Sequence, residues 1–224
     1  MNVTNKLTIV PMTEGNMLDD VAELHLDAFA GHLNALLGSG YAKALATWFI
    51  RHHGAIAIAA IDENKKVLGY ALGAPVGYST RLNRDLCWGV AARIITRPWL
   101  IFNTQFRSVL IERMRSFVGL QQNVSHVLEL PEPSMSLVAI GVASSQRRRK
   151  IGQHLIQAVE TKARDLQMRS LVLSVYESAT AARRFYEQCG WQPCSMVTKN
   201  GETLKYWRLL DYTPGVALDS DDVH

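Results

Sequence analysis

The chain has few cysteines and no long apolar run, and each absence excludes a class of protein. Its 224 residues contain three cysteines, Cys87, Cys189 and Cys194. They form neither a zinc-ligand spacing nor an even disulfide set, so we expect no metal site and a reducing compartment. No stretch offers about 18 apolar residues free of charge, which argues against a membrane span. The first ten residues lack the charged-then-apolar run of a signal peptide, so we expect a cytoplasmic protein.

The chain also lacks a strong excess of charge. Hydrophobic residues make up 48% and charged residues 20% of the sequence, and the formal net charge is +4. These values are ordinary for a soluble globule and well short of a nucleic-acid-binding composition, so we do not expect a nucleic acid as partner. A chain of this length can bury one sizeable core. We therefore expect a single domain over residues 1–211 and a loose tail over residues 212–224.

The most informative stretch runs from Leu137 to Gly152. An apolar run that ends at Val142 is followed by a short polar turn, four cations and then apolar residues at helical spacing. The cations are Arg147, Arg148, Arg149 and Lys150. The pattern predicts a strand, a loop and a helix. A helix start leaves about four N–H groups without partners and carries roughly half a positive charge, so a phosphate fits there. Taken alone, the basic run is more typical of a solvated turn, and nucleic-acid patches also contain such runs.

This stretch resembles the GNAT superfamily of N-acetyltransferases, whose motif is Arg/Gln-x-x-Gly-x-Gly/Ala between a strand and a helix. Arg147 takes the first position and Gly152 the last, but Lys150 stands where the middle glycine usually is. If that position requires a left-handed backbone, the lysine costs on the order of 1–2 kcal/mol. If it requires only a close approach to the pyrophosphate, the lysine side chain must turn outward.

A second segment supports the same resemblance. After a predicted strand, Leu171 to Val175, the residues from Ala179 to Trp191 resemble the family's Asn-x-x-Ala-x-x-x-Tyr-Glu-x-x-Gly-Phe segment. The matching residues are Ala182, Tyr186, Glu187, Gly190 and Trp191. Ala179 takes the asparagine position, which is a second departure. The order and separation of the two segments fit the family, and together they indicate it more strongly than either does alone.

The resemblance implies an α/β (α+β) fold with a mixed, mostly antiparallel twisted sheet flanked by helices. The amino-terminal half fits this fold, with a predicted strand at 6–12 and a helical stripe from Leu18 to Phe29 capped by Thr13 or Asn16. More helix is predicted over 33–48, with a break at residues 38–40. In the family, this first helical pair lies beside the acceptor site.

Two hairpins are predicted from apolar runs separated by turns. Residues 55–61 and 67–72 form the first, and Gly69 and Gly73 suggest a bulge or a close backbone approach in its second strand. Residues 194–198 and 203–210 flank an Asn-Gly turn and form the second.

Residues 79–124 predict a helical insertion before the fourth strand. The segment is rich in aromatic residues and arginines and is longer than the usual connection in the family. It fits a substrate lid, a dimer surface or an interfacial helix, and it fits equally an extra helical layer on the sheet. The sequence therefore leaves open whether the protein forms a homodimer.

The resemblance also implies a co-substrate, acetyl-CoA, and a set of residues that bind it. The fourth strand would supply backbone groups to the pantetheine arm, and the loop N–H groups would hold the pyrophosphate. The implied cofactor-binding residues are Ile140, Gly141, Val142, Arg147, Arg148, Arg149, Lys150, Ile151, Gly152, Ala179 and Tyr186.

Acetyl transfer to an amine needs a neutral amine, a donor for the oxyanion and a proton for the departing thiolate. Tyr186 is the candidate acid, because a phenol with a pKa near 10 is protonated at neutral pH. The base is poorly defined, since the predicted fourth strand carries no glutamate. Glu129 and Glu132 lie just upstream and could act directly or through water, or bulk water could serve. His25, His32, His52 and His53 form no H-x-x-x-H pair, and we expect them at the surface or satisfied in the core.

These inferences favour an acetyl-CoA-dependent N-acetyltransferase that acts on a primary amine of a small molecule or amino sugar. Lys150, Ala179 and the missing glutamate keep a second hypothesis open, a non-catalytic acyl-CoA sensor with the same fold. A protein- or ribosome-directed acetyltransferase, and a nucleic-acid-binding protein that uses the Arg147–Lys150 cluster, are further alternatives.

Overall fold

The computed structural model describes residues 7–30, 37–86, 130–197 and 203–210. Four helices are bounded within these ranges: α1 (Asn16–Ala28), α2 (Ser39–Arg51), α3 (Ile151–Asp165) and α4 (Thr180–Gln188). Residues 78–86 are also helical, as predicted for the start of the insertion. None of the described helices has both the length and the apolar character needed to cross a bilayer.

Seven strands form one sheet. They are β1 (Thr8–Pro11), β2 (Ile56–Ile61), β3 (Val67–Pro75), β4 (Ser134–Val142), β5 (Ser170–Tyr176), β6 (Gln192–Val197) and β7 (Thr203–Leu209). Their order is β1-β2-β3-β4-β5-β7-β6. Every neighbouring pair is antiparallel except β4 and β5, which are parallel. The predicted mixed, mostly antiparallel sheet flanked by helices is confirmed.

Both predicted hairpins are present as antiparallel strand pairs. The two glycines of β3 have the roles that the sequence suggested. The register shifts between Leu72 and Gly73, and a Cβ on Gly69 would lie 2.9 Å from the carbonyl oxygen of Gly141. Gly69 is therefore a point of close backbone approach between β3 and β4, where a side chain would push the strands apart.

The predicted cap of α1 was wrong. Neither Thr13 nor Asn16 caps the helix; the residue before its first turn is Gly15, and no side chain bonds the helix N-terminus. Gly15 has φ 106° and ψ −146°, a conformation that only glycine adopts at low cost. The chain reverses sharply there, so backbone geometry decided the boundary.

Several predictions lie outside the described residues. They concern the start of the first strand before residue 7, residues 33–36, most of the 79–124 insertion, the Asn-Gly turn, residues 212–224, His32 and the candidate base Glu129.

The two faces of the sheet carry separate cores. On one face α1 and α2 pack against Tyr70, Leu72 and Ala139. On the other face α3 and α4 pack against apolar side chains of β2, β4 and β5, such as Ile58 and Leu171. Apolar residues point to both faces of the central strands, which explains why β3 is almost continuously buried.

Candidate active site

A cleft opens in the sheet where β4 and β5 separate. The parallel pairing of these strands covers Ser134 with Ser170, Met135 with Leu171, and Ser136 with Val172. Beyond Ser136, β4 continues to Val142 and β5 to Tyr176 without further pairs between them. Backbone groups on the facing edges of the two strands are thus left for another partner, such as an extended ligand arm.

A bulge in β4 accompanies this separation. On β3, Leu72 pairs with Ala139 and the next residue, Gly73, pairs with Leu137, so Val138 is the extra residue. A bulge bends its strand and is frequent next to active sites. It also changes which β4 side chains face each core, because Leu137 and Ile140 both lie on the α3 face. The sequence predicted a strand here but gave no sign of the bulge.

The carboxyl end of β4 leads to the amino end of α3. The first described α3 bond of the i to i−4 type is donated by the His154 N–H to the Lys150 carbonyl, at 3.1 Å. The N–H groups of Ile151, Gly152 and Gln153 precede it, and no side chain caps the helix. They point away from the helix body beside a run of four cations. This end of the cleft can bind an anion through main-chain donors and the helix dipole.

The basic loop has an unusual backbone. Arg148 and Lys150 have φ values of 66° and 62°, so two non-glycine residues adopt the left-handed conformation. All four cationic side chains, Arg147, Arg148, Arg149 and Lys150, are exposed. Lys150 therefore occupies a left-handed position and also turns its side chain outward. The alternation of conformations along the loop aims successive N–H groups into a concave surface.

Two contacts hold the loop in place. Arg149 Nη1 donates to Gln146 Oε1 at 2.5 Å, across a 3-10 turn at Ser144–Gln146. The Ser144 N–H donates to the Asp27 carboxylate of α1 at 3.3 Å. The loop that follows β4 is thus connected to the last turn of α1.

Gly152 is needed for helix packing. A Cβ at this position would lie 3.0 Å from Cζ and 3.2 Å from Cε2 of the Phe185 ring. Phe185 belongs to α4, so the glycine lets α4 approach the first turn of α3. The two segments of the sequence that resemble the family motifs therefore meet at one contact beside the cleft. The sequence motif indicated the glycine but not its contact with Phe185.

Tyr186 follows Phe185 on α4 and lies within the core on that face. Its side chain is 8% exposed, and its ring packs 5.9 Å from Trp191 and 6.2 Å from Tyr206. Burial raises the pKa of Tyr186 above its usual value, and the Cys189 thiol beside it acts in the same direction. The phenol therefore keeps its proton at neutral pH, and it is a weaker acid than a phenol in water.

Ala179, at the asparagine position of the motif, precedes the first residue of α4. No side chain caps that helix. An asparagine could accept a hydrogen bond from the first turn, whereas alanine offers only its methyl group. Ala179 instead packs against the apolar core on the α3 and α4 face.

The candidate bases do not converge on the cleft in the described residues. Glu132 is exposed and precedes the first residue of β4, at the opposite end of the strand from the basic loop. From Ser134, the first residue of β4, to the bulge at Val138, the extended strand alone spans roughly 13 Å. At that separation Glu132 is beyond direct reach of a group bound at the bulge.

A buried pair behind β4 was not predicted as part of the site. His25 of α1 is 2% exposed, and its Nδ1 lies 2.5 Å from the Tyr70 hydroxyl of β3. The Tyr70 ring in turn supports Gly141, since a Cβ there would lie 2.7 Å from Tyr70 Cε1. Burial lowers the pKa of His25 to about 4, so its ring is neutral at physiological pH. Among the described residues its Nε2 has no hydrogen-bond partner, so the expectation of a satisfied core histidine is met only at Nδ1.

One described surface cavity lies elsewhere. Its volume is about 690 Å³, and it is lined by Pro131, Pro133, Leu166 and neighbouring residues at the carboxyl end of α3. That end is opposite to the basic loop. The cavity therefore belongs to a different part of the molecule from the cleft between β4 and β5.

The comparisons with known proteins agree with this geometry. A family model described as the acetyltransferase (GNAT) family matches residues 18–191. Because that match spans well over half of the chain, the protein belongs to the GNAT family of acetyltransferases and is an acyltransferase. A search of curated protein sequences gave no match.

Solved structures of the family share the fold at low sequence identity. SsHAT aligns with a TM-score of 0.62 and 16% identity, covering 92% of this chain and 99% of that chain. An acetyltransferase of the GNAT family from Staphylococcus aureus Mu50 aligns with a TM-score of 0.57 and 11% identity, covering 92% of this chain and 100% of that chain. Arabidopsis thaliana NAA60, solved in complex with a bisubstrate analogue, aligns with a TM-score of 0.56 and 12% identity, covering 91% of this chain and 98% of that chain. At such identities the likeness shows the fold alone.

Proposed function

We propose that the chain transfers an acetyl group from acetyl-CoA to a primary amine of a small molecule or amino sugar. The observation that carries this proposal is the cleft between β4 and β5, which runs from the bulge at Val138 to the uncapped start of α3. A molecule with a diphosphate at one end and a thioester at the other matches both ends of this cleft.

The binding residues act mainly through the main chain. The strand segment Ile140, Gly141 and Val142 offers backbone groups to an extended arm, and the residues from Arg148 to Gly152 offer N–H groups to the diphosphate. Arg147, Arg149 and Lys150 add positive charge around the phosphates, which strengthens those bonds. Backbone donors do not depend on side-chain identity, so Lys150 is compatible with binding.

Acetyl-CoA supplies the activated acyl group, and the chain supplies position and a proton. The amine nitrogen forms a bond to the acyl carbon as the carbon–sulfur bond breaks, and the sulfur leaves as a thiolate. The hydroxyl of Tyr186, which is protonated at neutral pH, donates the proton that the thiolate takes up and then recovers a proton from water. The proton lost by the amine passes to water, since no carboxylate of the described β4 and β5 residues lies at the cleft.

Isothermal titration with acetyl-CoA tests the binding half of this proposal. We expect heat of binding that saturates below millimolar ligand, and a loss of affinity in a variant with Arg147 and Arg149 replaced by glutamine. Desulfo-CoA serves as a control that retains the diphosphate. Absence of binding at millimolar acetyl-CoA would overturn the proposal.

A second candidate function is acyl-CoA sensing without catalysis. The observations that favour it are the left-handed Lys150, the missing cap at Ala179 and the lack of a strand carboxylate. A screen of amines with thiol detection separates the two functions. Release of CoA thiol above the rate of hydrolysis, dependent on an added amine, rules out the sensor. Retention on RNA that weakens steeply with salt would instead support the nucleic-acid hypothesis.

A further inference from the structure

The last residues of β4 present alternate main-chain groups to the cleft. The Ala143 N–H donates to the Leu68 carbonyl of β3 at 2.9 Å. Along an antiparallel pair, every second residue directs both its N–H and its C=O to the same neighbour, so Gly141 also bonds with β3. Ile140 and Val142 alternate with these residues and direct their main-chain groups to the other edge of β4, where the strand separates from β5. The edge that a ligand meets therefore consists of Ile140 and Val142, with Gly141 between them.

Gly141 is packed directly beneath α1. A Cβ at this position would lie 2.7 Å from Cε1 of Tyr70, 2.9 Å from Cδ2 of Leu24 and 3.2 Å from the Cβ of Ala28. Tyr70 is also the residue of β3 that pairs with Gly141. The Tyr70 ring and α1 together set how far β4 can move toward this face. A displacement of the ring would therefore displace the edge of β4 that faces the cleft.

His25 holds the far end of the Tyr70 ring. Its Nδ1 lies 2.5 Å from the Tyr70 hydroxyl, and both side chains are buried among apolar residues. The Nε2 atom of His25 is buried as well, and no residue of the described chain forms a hydrogen bond with it. A buried polar atom without a partner destabilises a fold, whereas an apolar pair of similar shape avoids that cost. Stability alone therefore favours an apolar pair at these two positions.

We propose that Tyr70, held in place by His25, is a positioning residue for the binding of acetyl-CoA. Its ring fixes Gly141 and, with it, the two neighbouring residues whose main-chain groups bind the pantetheine arm. The bond to His25 ties the ring to α1 in one orientation, which packing alone does not do. Hydrogen bonds weaken when their distance and angle depart from the preferred range, so a small shift of β4 lowers the affinity for the arm. This inference rests on the proposed function, because it concerns the same cofactor.

A double variant, His25→Leu with Tyr70→Phe, separates positioning from stability. It removes both polar groups and keeps the core apolar, so its free energy of unfolding in urea should match or exceed that of the wild-type chain. Isothermal titration should show that it binds acetyl-CoA more weakly by about threefold to tenfold, the range of one hydrogen bond. Adenosine diphosphate carries a diphosphate but no pantetheine arm. It should bind the wild-type chain and the double variant equally, because it contacts only the basic loop.

Two further variants serve as controls. His25→Asn places an amide atom near the position of Nδ1 and can still bond the Tyr70 hydroxyl, so its affinity for acetyl-CoA should stay close to that of the wild-type chain. Phe49→Leu is the packing control, since Phe49 is a buried residue of α2 in the same core. It should lower the free energy of unfolding and leave the affinity for acetyl-CoA unchanged. If the double variant does not fold, Tyr70→Phe alone is compared with Phe49→Leu in the same way.

Each outcome decides the inference. Unchanged affinity for acetyl-CoA in a folded double variant overturns it and leaves the proposed function standing. An equal loss of affinity for acetyl-CoA and adenosine diphosphate also overturns it, as does a loss in Phe49→Leu or His25→Asn as large as that in the double variant. Absence of acetyl-CoA binding by the wild-type chain overturns the proposed function and this inference together.

Discussion

At the scale of single residues, the basic loop combines binding groups with a strained backbone. Lys150 adopts φ 62°, where a Cβ clashes with the following carbonyl. Its ammonium adds charge for an anionic ligand, whereas a glycine would fit the backbone without strain. The loop therefore exchanges some conformational stability for an additional cation.

Replacing Lys150 with glycine should stabilise the fold and weaken CoA binding, because one cation beside the diphosphate is lost. Relief of about 1–2 kcal/mol of strain exceeds the extra entropy of glycine, about 0.5–1 kcal/mol, so we expect a net gain of about 0.5–1 kcal/mol in free energy of unfolding. Urea titration measures it. Arg149→Gly is the control, because it also removes a cation but lies at a residue without positive φ, and it should destabilise. A loss of stability in Lys150→Gly would contradict the strain argument.

In the proposed mechanism, Tyr186 is the residue that supplies a proton to the departing thiolate. Tyr186→Phe removes the hydroxyl and keeps the ring, so the packing with Trp191 stays. We expect kcat to fall by about a hundredfold or more with little change in KM for acetyl-CoA, as for the loss of a general acid. Steady-state kinetics measure the effect.

Tyr206→Phe is the matched control for this change. Tyr206 is also a buried phenol, but its hydroxyl donates to Glu187 Oε1 at 2.8 Å and is assigned no catalytic role. Loss of this hydroxyl and its hydrogen bond should lower the free energy of unfolding by about 1 kcal/mol and leave kcat within a fewfold of wild type. Equal activity of Tyr186→Phe and Tyr206→Phe would remove Tyr186 from the mechanism.

At the scale of elements, α3 and α4 meet at the contact of Gly152 with Phe185. The contact places the first turn of α3, with its unpartnered N–H groups, beside the helix that carries Tyr186. Because the carbon that a side chain would add lies 3.0 Å from the ring, any other residue at 152 separates the helices or shifts the ring.

Gly152→Ala should therefore destabilise the protein by about 1–3 kcal/mol, the usual cost of overpacking, despite the higher helix propensity of alanine. Phe185→Leu in the same chain should recover part of that loss, because the smaller side chain makes room. A double-mutant cycle by urea denaturation measures the coupling. Additive effects of the two changes would show that the contact is not tight in solution.

A second junction of elements lies at Arg208 on β7. Its Nε is 3.2 Å from Oε1 of Glu160 on α3, and its Nη1 donates to the carbonyl of Cys189 at the end of α4. Burial raises the pKa of Glu160, while Arg208 and Arg164 oppose that rise. The pair thus holds a strand and two helices together through a charge that is largely removed from water.

Arg208→Met should cost about 3 kcal/mol or more at pH 8, because it leaves a buried carboxylate without its closest partner. Without the Arg208 guanidinium, the pKa of Glu160 rises further. A carboxyl group whose pKa is higher in the folded chain than in the unfolded chain destabilises the fold when it is ionised, and this cost is removed as the pH falls and the group takes up a proton. The deficit relative to wild type should therefore shrink from pH 8 to pH 5. Glu160→Gln in the Arg208→Met chain should recover stability at pH 8. A deficit that does not vary with pH would argue against a charged Glu160.

At the scale of the whole molecule, the sheet separates two cores, and the pair His25 and Tyr70 lies in the one beneath β4. His25 stays neutral in the fold because its pKa is about 4, whereas an unfolded histidine has a pKa of about 6.5. A group whose pKa is lower in the folded chain than in the unfolded chain stabilises the fold at pH values above its unfolded pKa. That stabilisation is lost as the pH falls. The pair therefore makes the whole fold sensitive to acid.

His25→Asn tests this link, since an asparagine amide can bond the Tyr70 hydroxyl and does not titrate. Between pH 6.5 and 4 the wild-type chain should lose up to about 3 kcal/mol more stability than the variant. Thermal unfolding across this range measures the difference. His53→Asn, at an exposed position, is the control. Parallel pH profiles for wild type and His25→Asn would show that His25 is not buried in neutral form.

The sequence by itself determined most elements and the family. Apolar runs predicted the strands, and apolar residues at the 3.6-residue helical period predicted α1 and α3. Two motifs at the right separation indicated the GNAT acetyltransferase family. These features depend on residues close together in the chain, where periodicity and motif spacing carry the information. The same applies to the site loop, because a strand, a basic run and a helix start are contiguous in sequence.

Only the tertiary structure decided how distant residues meet. The bulge at Val138, the contact of Gly152 with Phe185, and the pair His25 with Tyr70 join residues from different elements. Strand register and helix packing set these contacts, and no local pattern in the chain encodes them. The cap of α1 was mispredicted for a related reason, since the sharp turn at Gly15, and not a side-chain hydrogen bond, fixes where that helix begins.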